Sequence, residues 1–203
     1  MRGVNHGALS SRTMLELDDL APERIRPLRR VEYERMVELG LFEDERVELL
    51  AGMLVEMSPQ GVPHAHAVRY LTELFILALR RRATIGSRLR FALDDESEPE
   101  PDIVISPRAD YRREHPGRAL LLVEVAESSL RKDRRIKARL YARAEVPEYW
   151  LVNLVDGLVE VHRDPEAGRY RTITQVGRGE SLAPLAFPDI VLQVDELLTG
   201  EPG

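Results

Sequence analysis

Residues 120–154, LLLVEVAESSLRKDRRIKARLYARAEVPEYWLVNL, carry the pattern that decides the fold. Residues 120–125 are almost continuously apolar, as in a strand covered on both faces, and residues 148–154, with Tyr149-Trp150-Leu151-Val152, read the same way. Between them Ile136, Leu140 and Ala144 lie along one stripe, which predicts a crossover helix over residues 130–143. Working toward the N-terminus, residues 102–105 form another apolar run and residues 88–93 alternate, so both are strand candidates. Residues 64–82 set Val68, Leu71, Leu74, Phe75, Ala78 and Leu79 at helical spacing. A hairpin is predicted over residues 46–57 around Ala51-Gly52, after a short helix stopped by Gly40. Toward the C-terminus, residues 158–162 and 170–176 predict a second hairpin around Ala167-Gly168, followed by a short strand and a last helical turn. The order of elements predicts a mixed α/β sheet.

A chain of 203 residues is one core's worth, with residues 1–28, which include Pro22 and Pro27, expected as a loosely ordered arm and residues 199–203 as a tail. Hydrophobic residues make up 43% and charged residues 32%, which excludes a wholly disordered chain. The longest apolar stretch, Leu74 to Leu79, is far short of the roughly 20 residues that cross a bilayer, so no membrane partner is expected. No apolar run near the N-terminus suits an export signal, and a cytoplasmic location is expected. Zero cysteines exclude disulfides, thiolate nucleophiles and cysteine-type zinc sites. The formal charge of −6 opposes a nonspecific grip on nucleic acid, although a local basic surface can act against that sign.

Charged residues inside buried strands are costly unless they bind something, which singles out Asp102 and Glu124. If the two strands are antiparallel neighbours, both carboxylates meet at one end of the sheet, where a cation or a proton must separate them; carboxylates alone favour Mg²⁺ or Mn²⁺ over zinc. The alternative is that each carboxylate caps its strand. Of the 29 basic residues only Lys132 and Lys137 are lysine, and an ammonium suits places that a guanidinium does not. Asp133, Lys137 and Tyr141 share a helix face, so either Lys137 points at the carboxylates or it forms a surface pair with Asp133. Residues 130–143 hold seven basic residues against one acid, whereas residues 94–100 hold five acids and no base; a phosphate-facing surface and a solvated helix face both fit.

Several ordered motifs carry a resemblance. Ser97-Glu98-Pro99-Glu100-Pro101-Asp102, then Val123-Glu124-Val125-Ala126-Glu127-Ser128-Ser129-Leu130, then Asp133 with Lys137, and Tyr141-Ala142 leading to Val146-Pro147-Glu148-Tyr149-Trp150 are similar to the Uma-two family of restriction endonucleases. Glu45-Arg46-Val47-Glu48-Leu49-Leu50, Gly52 and Met57-Ser58-Pro59 resemble that family's front motif, with His66 matched to its histidine. The resemblance implies a PD-(D/E)XK nuclease-like domain over residues 29–198: a restriction-endonuclease-like central mixed sheet flanked by helices. It also implies Mg²⁺- or Mn²⁺-dependent hydrolysis of phosphodiester bonds, with nucleic acid, DNA foremost, as partner. Asp102 and Glu124 are then metal ligands, with the Val125 carbonyl and Glu48 as further ligands. Lys137 positions the attacking water, and Glu48 and His66 assist catalysis or serve as structural hydrogen-bonding groups. The superfamily's simplest pattern has lysine two positions after Glu124, where this chain has Ala126, so Lys137 stands for a relocated lysine. A catalytically silent DNA-binding or protein-interaction module is the alternative, and a homodimer is a further expectation. His64, His115 and His162 are read as surface or loop histidines, Ser128-Ser129 as a helix cap, and Tyr149 and Trp150 as core aromatics. No glycine loop of the phosphate-binding type is present.

Overall fold

A computed structural model describes residues 26–199. The expected arm, residues 1–28, and tail, residues 199–203, lie almost wholly outside the described residues.

Helix α1 (Arg30–Glu38) leads into the hairpin β1 (Val47–Leu50) and β2 (Met53–Glu56), whose turn uses positive φ at Ala51 (49°) and Gly52 (76°). Helix α2 (Val62–Leu79) buries the stripe Val68, Leu71, Phe75 and Leu79. Next come β3 (Thr84–Ser87), β4 (Ile103–Ser106) and β5 (Leu121–Ala126). The crossover is helical throughout but uneven: α3 (Leu130–Lys132), a π-helical turn (Asp133–Lys137) and α4 (Ala138–Arg143). Strands β6 (Glu148–Asn153), β7 (Leu158–Glu166) and β8 (Arg169–Val176) complete the sheet. The short pair β9 (Ser181–Leu182) and β10 (Leu192–Gln193) precedes α5 (Val194–Thr199).

The main sheet has the order β3-β4-β5-β6-β7-β8. Every neighbouring pair is antiparallel except β5 with β6, the pair joined by the helical crossover. Strands β4, β5 and β6 are buried at every position, as their continuous apolar runs require. One face, with Ile103, Ile105, Leu121, Val123 and Val125, packs under α2 and α5. The other, with Val104, Leu122 and Ala126, packs under α4. Alternation along a strand therefore puts Asp102 and Glu124 on the α4 side.

One predicted strand is corrected. Residues 88–93 form no strand of the sheet; the ladder runs instead through β3, just before them. Arg88 turns the chain at φ 52°, and the segment then borders residues 97–99 through a few bonds, such as Phe91 N–H to Pro99 O at 2.9 Å. Pro99 and Pro101 lack the N–H groups a ladder needs, so the alternation reflects burial of Phe91 and Leu93 without strand pairing.

Candidate active site

The register of β4 with β5 sets Ile103 opposite Val123, so one step further Asp102 comes alongside Glu124 where the sheet opens. Both carboxylates are about 95% buried, and both line a cleft of about 40 Å³ with the 57–61 loop, His64, Glu100, Lys132, Asp133 and Lys137. Asp102 Oδ2 accepts the Val125 amide at 2.8 Å and lies 3.1 Å from His64 Nε2, while Gln60 Nε2 donates to Asp102 Oδ1 at 3.4 Å. Because a carboxylate only accepts, His64 donates from Nε2; its Nδ1 is buried with no hydrogen-bond partner.

Glu124 Oε1 accepts from Lys137 Nζ at 2.8 Å and from the Tyr141 hydroxyl at 2.6 Å. Among the described residues no donor reaches Glu124 Oε2. Lys137 also lies 2.9 Å from Glu48 Oε2 and 4.0 Å from Asp133 Oδ1, and Lys132 Nζ donates to Glu48 Oε1 at 2.6 Å. The π turn makes this possible. Its closing bond runs from the Ala138 amide to the Asp133 carbonyl, five residues back, so the chain winds more slowly there than in an α-helix. Residues four apart then drift less, and Asp133, Lys137 and Tyr141 all face the sheet.

Electrostatics divides the roles. Burial drives the Lys137 ammonium down, but Glu124, Glu48 and Asp133 outweigh it and hold the pKa above the ordinary lysine value. Lys137 therefore stays charged and acts as a donor rather than a base. Burial raises the Glu124 pKa well above its ordinary value; Lys137 opposes this, and the nearby Asp133, Asp102 and Glu48 add to it. Burial also raises Asp133, against Lys137 and Lys132. Tyr141 is pushed well up by burial and by Glu124, so it stays a neutral donor.

The structure brings Asp102, Glu124, Val125, Lys137 and Glu48 together around one cleft, though Glu48 does not line it. His66 stands apart: its Nδ1 lies 3.4 Å from Arg69, and it does not line the cleft. The reading of His64 as a surface or loop residue is corrected, since it is 6% exposed and bonded to Asp102. Two residues apart on a helix means opposite faces, and the buried stripe His64, Val68, Leu71, Phe75 selects the face of His64. That signal was available in the sequence. His162, read the same way, is also buried, with its ring tilted against Tyr149 and edge-on to Tyr170. Ser129 occupies the N-cap position of α3 without a side-chain capping bond. Gln60 is missed because a loop glutamine carries no spacing signal.

Among the described residues no three His, Asp or Glu side chains are grouped so as to hold a metal by themselves. Mg²⁺ does not need such a cage, since one or two carboxylates with water complete its shell. The free Glu124 Oε2 and the mutual repulsion of the buried carboxylates suit a hard cation, so the residues present fit one. Among the described residues no helix is long and apolar enough to cross a membrane.

No curated protein matches the chain. Its fold is similar to the crystal structure of "a putative nuclease belonging to DUF820" from Anabaena variabilis, with a TM-score of 0.69 and 15% sequence identity over 85% of this chain and 98% of that chain. A family model described as "Putative restriction endonuclease" matches residues 30–195, and the chain belongs to that family, Uma2.

Proposed function

We propose that the cleft hydrolyses phosphodiester bonds, in DNA foremost, with Asp102 and Glu124 as ligands of a divalent cation, Mg²⁺ or Mn²⁺. The family and the nuclease-like fold support the reaction class. The observation that carries the reading is the Lys137 ammonium, 97% buried by side chain and held 2.8 Å from Glu124 beside an open cleft. A bound divalent cation would supply acidity to a water and neutralise charge developing on the phosphate. Lys137 has donor capacity left over from its two carboxylate contacts with which to orient that water. Glu48 fixes Lys137 from behind, and His64 and the Val125 amide hold the rotamer of Asp102. In a strand the N–H and C=O of one residue point to the same edge, so the Val125 carbonyl is a fitting further ligand.

A plasmid-nicking assay with and without Mg²⁺ tests this. Cleavage should require the cation and fall at least ~10³-fold in Lys137→Ala, whereas Mn²⁺ binding by calorimetry should survive in that variant and be lost in Asp102→Asn. Full cleavage by Lys137→Ala would contradict the role. A second reading, a nuclease-like binding module without turnover, draws on the absence of a three-ligand group among the described residues; DNA retention with no cleavage under any divalent cation would select it.

A further inference from the structure

The open end of the sheet continues past the cleft. In the register of β3 with β4, Ser87 stands opposite Ile103, and one step further the Arg88 amide donates to the Asp102 carbonyl at 3.1 Å, so Arg88, Asp102 and Glu124 follow one another across that end. Ser87 and Arg88 nevertheless line the same groove, one of about 560 Å³ along the outer face of α2. Neighbours on a strand normally face opposite ways; the φ of 52° at Arg88, unfavourable for a residue with a side chain, breaks that alternation. From the cleft end the groove follows α2 past Ala65, next to His64, and Arg69 to Ile76 and Leu77, over about 18 Å of helix. Arg88 makes no side-chain hydrogen bond or ion pair among the described residues, and the one polar contact of Arg69 is to His66 Nδ1 at 3.4 Å. The floor beyond them is apolar, with Ile76 53% and Leu77 66% exposed.

We propose that this groove is a subsite for an unpaired strand of nucleic acid, DNA foremost, whose phosphodiester reacts in the cleft; the inference rests on the proposed function for the place of that phosphate. Charge and continuity both point to this occupant. Two guanidiniums without carboxylate partners stand at the end nearest Asp102, where a strand leaving the cleft brings its next phosphates. Past them, Ile76 and Leu77 offer apolar surface, which suits the flat faces of bases and not a sugar-phosphate backbone. In a duplex those faces are stacked on one another and out of reach, so the floor selects a strand whose bases are free. Glu73, between Arg69 and Ile76 and without an ion pair among the described residues, repels phosphate and can accept from the amino group of a base, which assigns that stretch to bases as well.

Fluorescence anisotropy of a labelled single-stranded oligodeoxynucleotide of ~12 nucleotides, and of the same sequence as a duplex, tests this on the full chain in a chelating buffer, without relying on nuclease activity. The wild type should bind the single strand at least ~10-fold more tightly than the duplex. Arg88→Ala should weaken that binding and lower the slope of log affinity against log salt by about 0.7, the value for one phosphate of a single strand. Ile76→Ser with Leu77→Ser should weaken it about tenfold with the slope unchanged. The circular dichroism spectrum of that double variant should match the wild type, because both side chains are more than half exposed. Equal affinity for the duplex, an unaltered salt slope in Arg88→Ala, full affinity in the double variant, or tighter binding by Glu73→Ala, which would put phosphates over the apolar floor, would each overturn the proposal. Selective binding of the single strand by a chain that cuts no DNA under any divalent cation would count against the proposed function and leave this subsite standing, whereas cleavage by a chain that fails these binding tests would do the reverse.

Discussion

Two glutamates, Glu48 on β1 and Glu98 on the loop beside it, are both fully buried and lie one residue apart across the Leu49–Glu98 bridge, yet they are handled in opposite ways. Glu48 turns toward the cleft, where burial raises its pKa but Lys137 and Lys132 together outweigh that and hold it below the ordinary carboxylate value. Glu98 has no hydrogen-bond partner for either oxygen, and burial, with the like charge of Glu34, pushes its pKa up to about 7 against Arg90 and Arg30. The same side chain in the same degree of burial is thus an obligate anion on one side and a neutral acid over much of the pH range on the other. The difference lies in where the chain put its only two lysines: both serve Glu48, and one also serves Glu124.

The largest break in that contrast is removal of the shared ammonium. Lys137→Met leaves Glu124 buried without a cation, and Asp133 and Glu48 with Lys132 alone. Stripping one partner from a buried ionic cluster typically costs about 3–5 kcal/mol. Urea denaturation at pH 7 should show a loss of that order. A loss under about 1 kcal/mol would mean that the cluster is open enough to water for its charges to be solvated without Lys137.

Much of this arrangement was legible in the sequence, for identifiable reasons. An apolar run opened by Asp102 and another with Glu124 near its end gave β4 and β5, and their antiparallel adjacency, which the sequence left as a condition, brings the two carboxylates to one end of the sheet. The four-residue repeat Asp133, Lys137, Tyr141 and the rarity of lysine pointed to the helix that faces them. What stayed hidden depended on tertiary geometry. A π turn leaves no mark in a hydrophobic period read at 3.6 residues, and the partners of Glu48 come from 84 and 89 positions along the chain. The strand expected over residues 88–93 failed because alternation records one buried face and is silent about whether a neighbour has the amides to pair with it. Family likeness points to His66, whereas the helical stripe favours His64.

Glu98 provides the opposite test. A carboxyl whose folded pKa is raised from 4.5 to about 7 contributes stability that is fully present below the unfolded value and is lost as pH rises through the folded one. Glu98→Gln keeps the shape and does not titrate, so it should be close to the wild type in melting temperature at pH 4 and more stable than it at pH 8. The gap should be on the order of 2 kcal/mol at the higher pH. Because nearby His115 is present in both proteins, its own titration largely cancels from the difference. A gap that is flat from pH 4 to pH 8 would show that Glu98 titrates as it does in the unfolded chain, with Arg90 and Arg30 offsetting its burial.

The smallest effect belongs to Lys132, and it decides how Glu48 is shared. Lys132 donates at 2.6 Å, but its side chain is 18% exposed against 3% for Lys137, so water screens its attraction more strongly. Lys132→Ala should destabilise the protein by about 1 kcal/mol at pH 7, and cleavage should persist, since Lys137 and the Glu100 amide still hold Glu48. The loss should also depend on pH with the opposite sign to that of Glu98. A carboxylate with a depressed folded pKa contributes stability above its unfolded value and forfeits it as pH falls through the folded one, so the gap between wild type and Lys132→Ala should close below about pH 4.5. Should Lys132→Ala instead lose as much stability as Lys137→Met, and lose cleavage with it, Glu48 would be the hub of the cluster and Lys137 one of two equal spokes. The two lysines would then rank equally, and stability would no longer single out Lys137 for the water-positioning role.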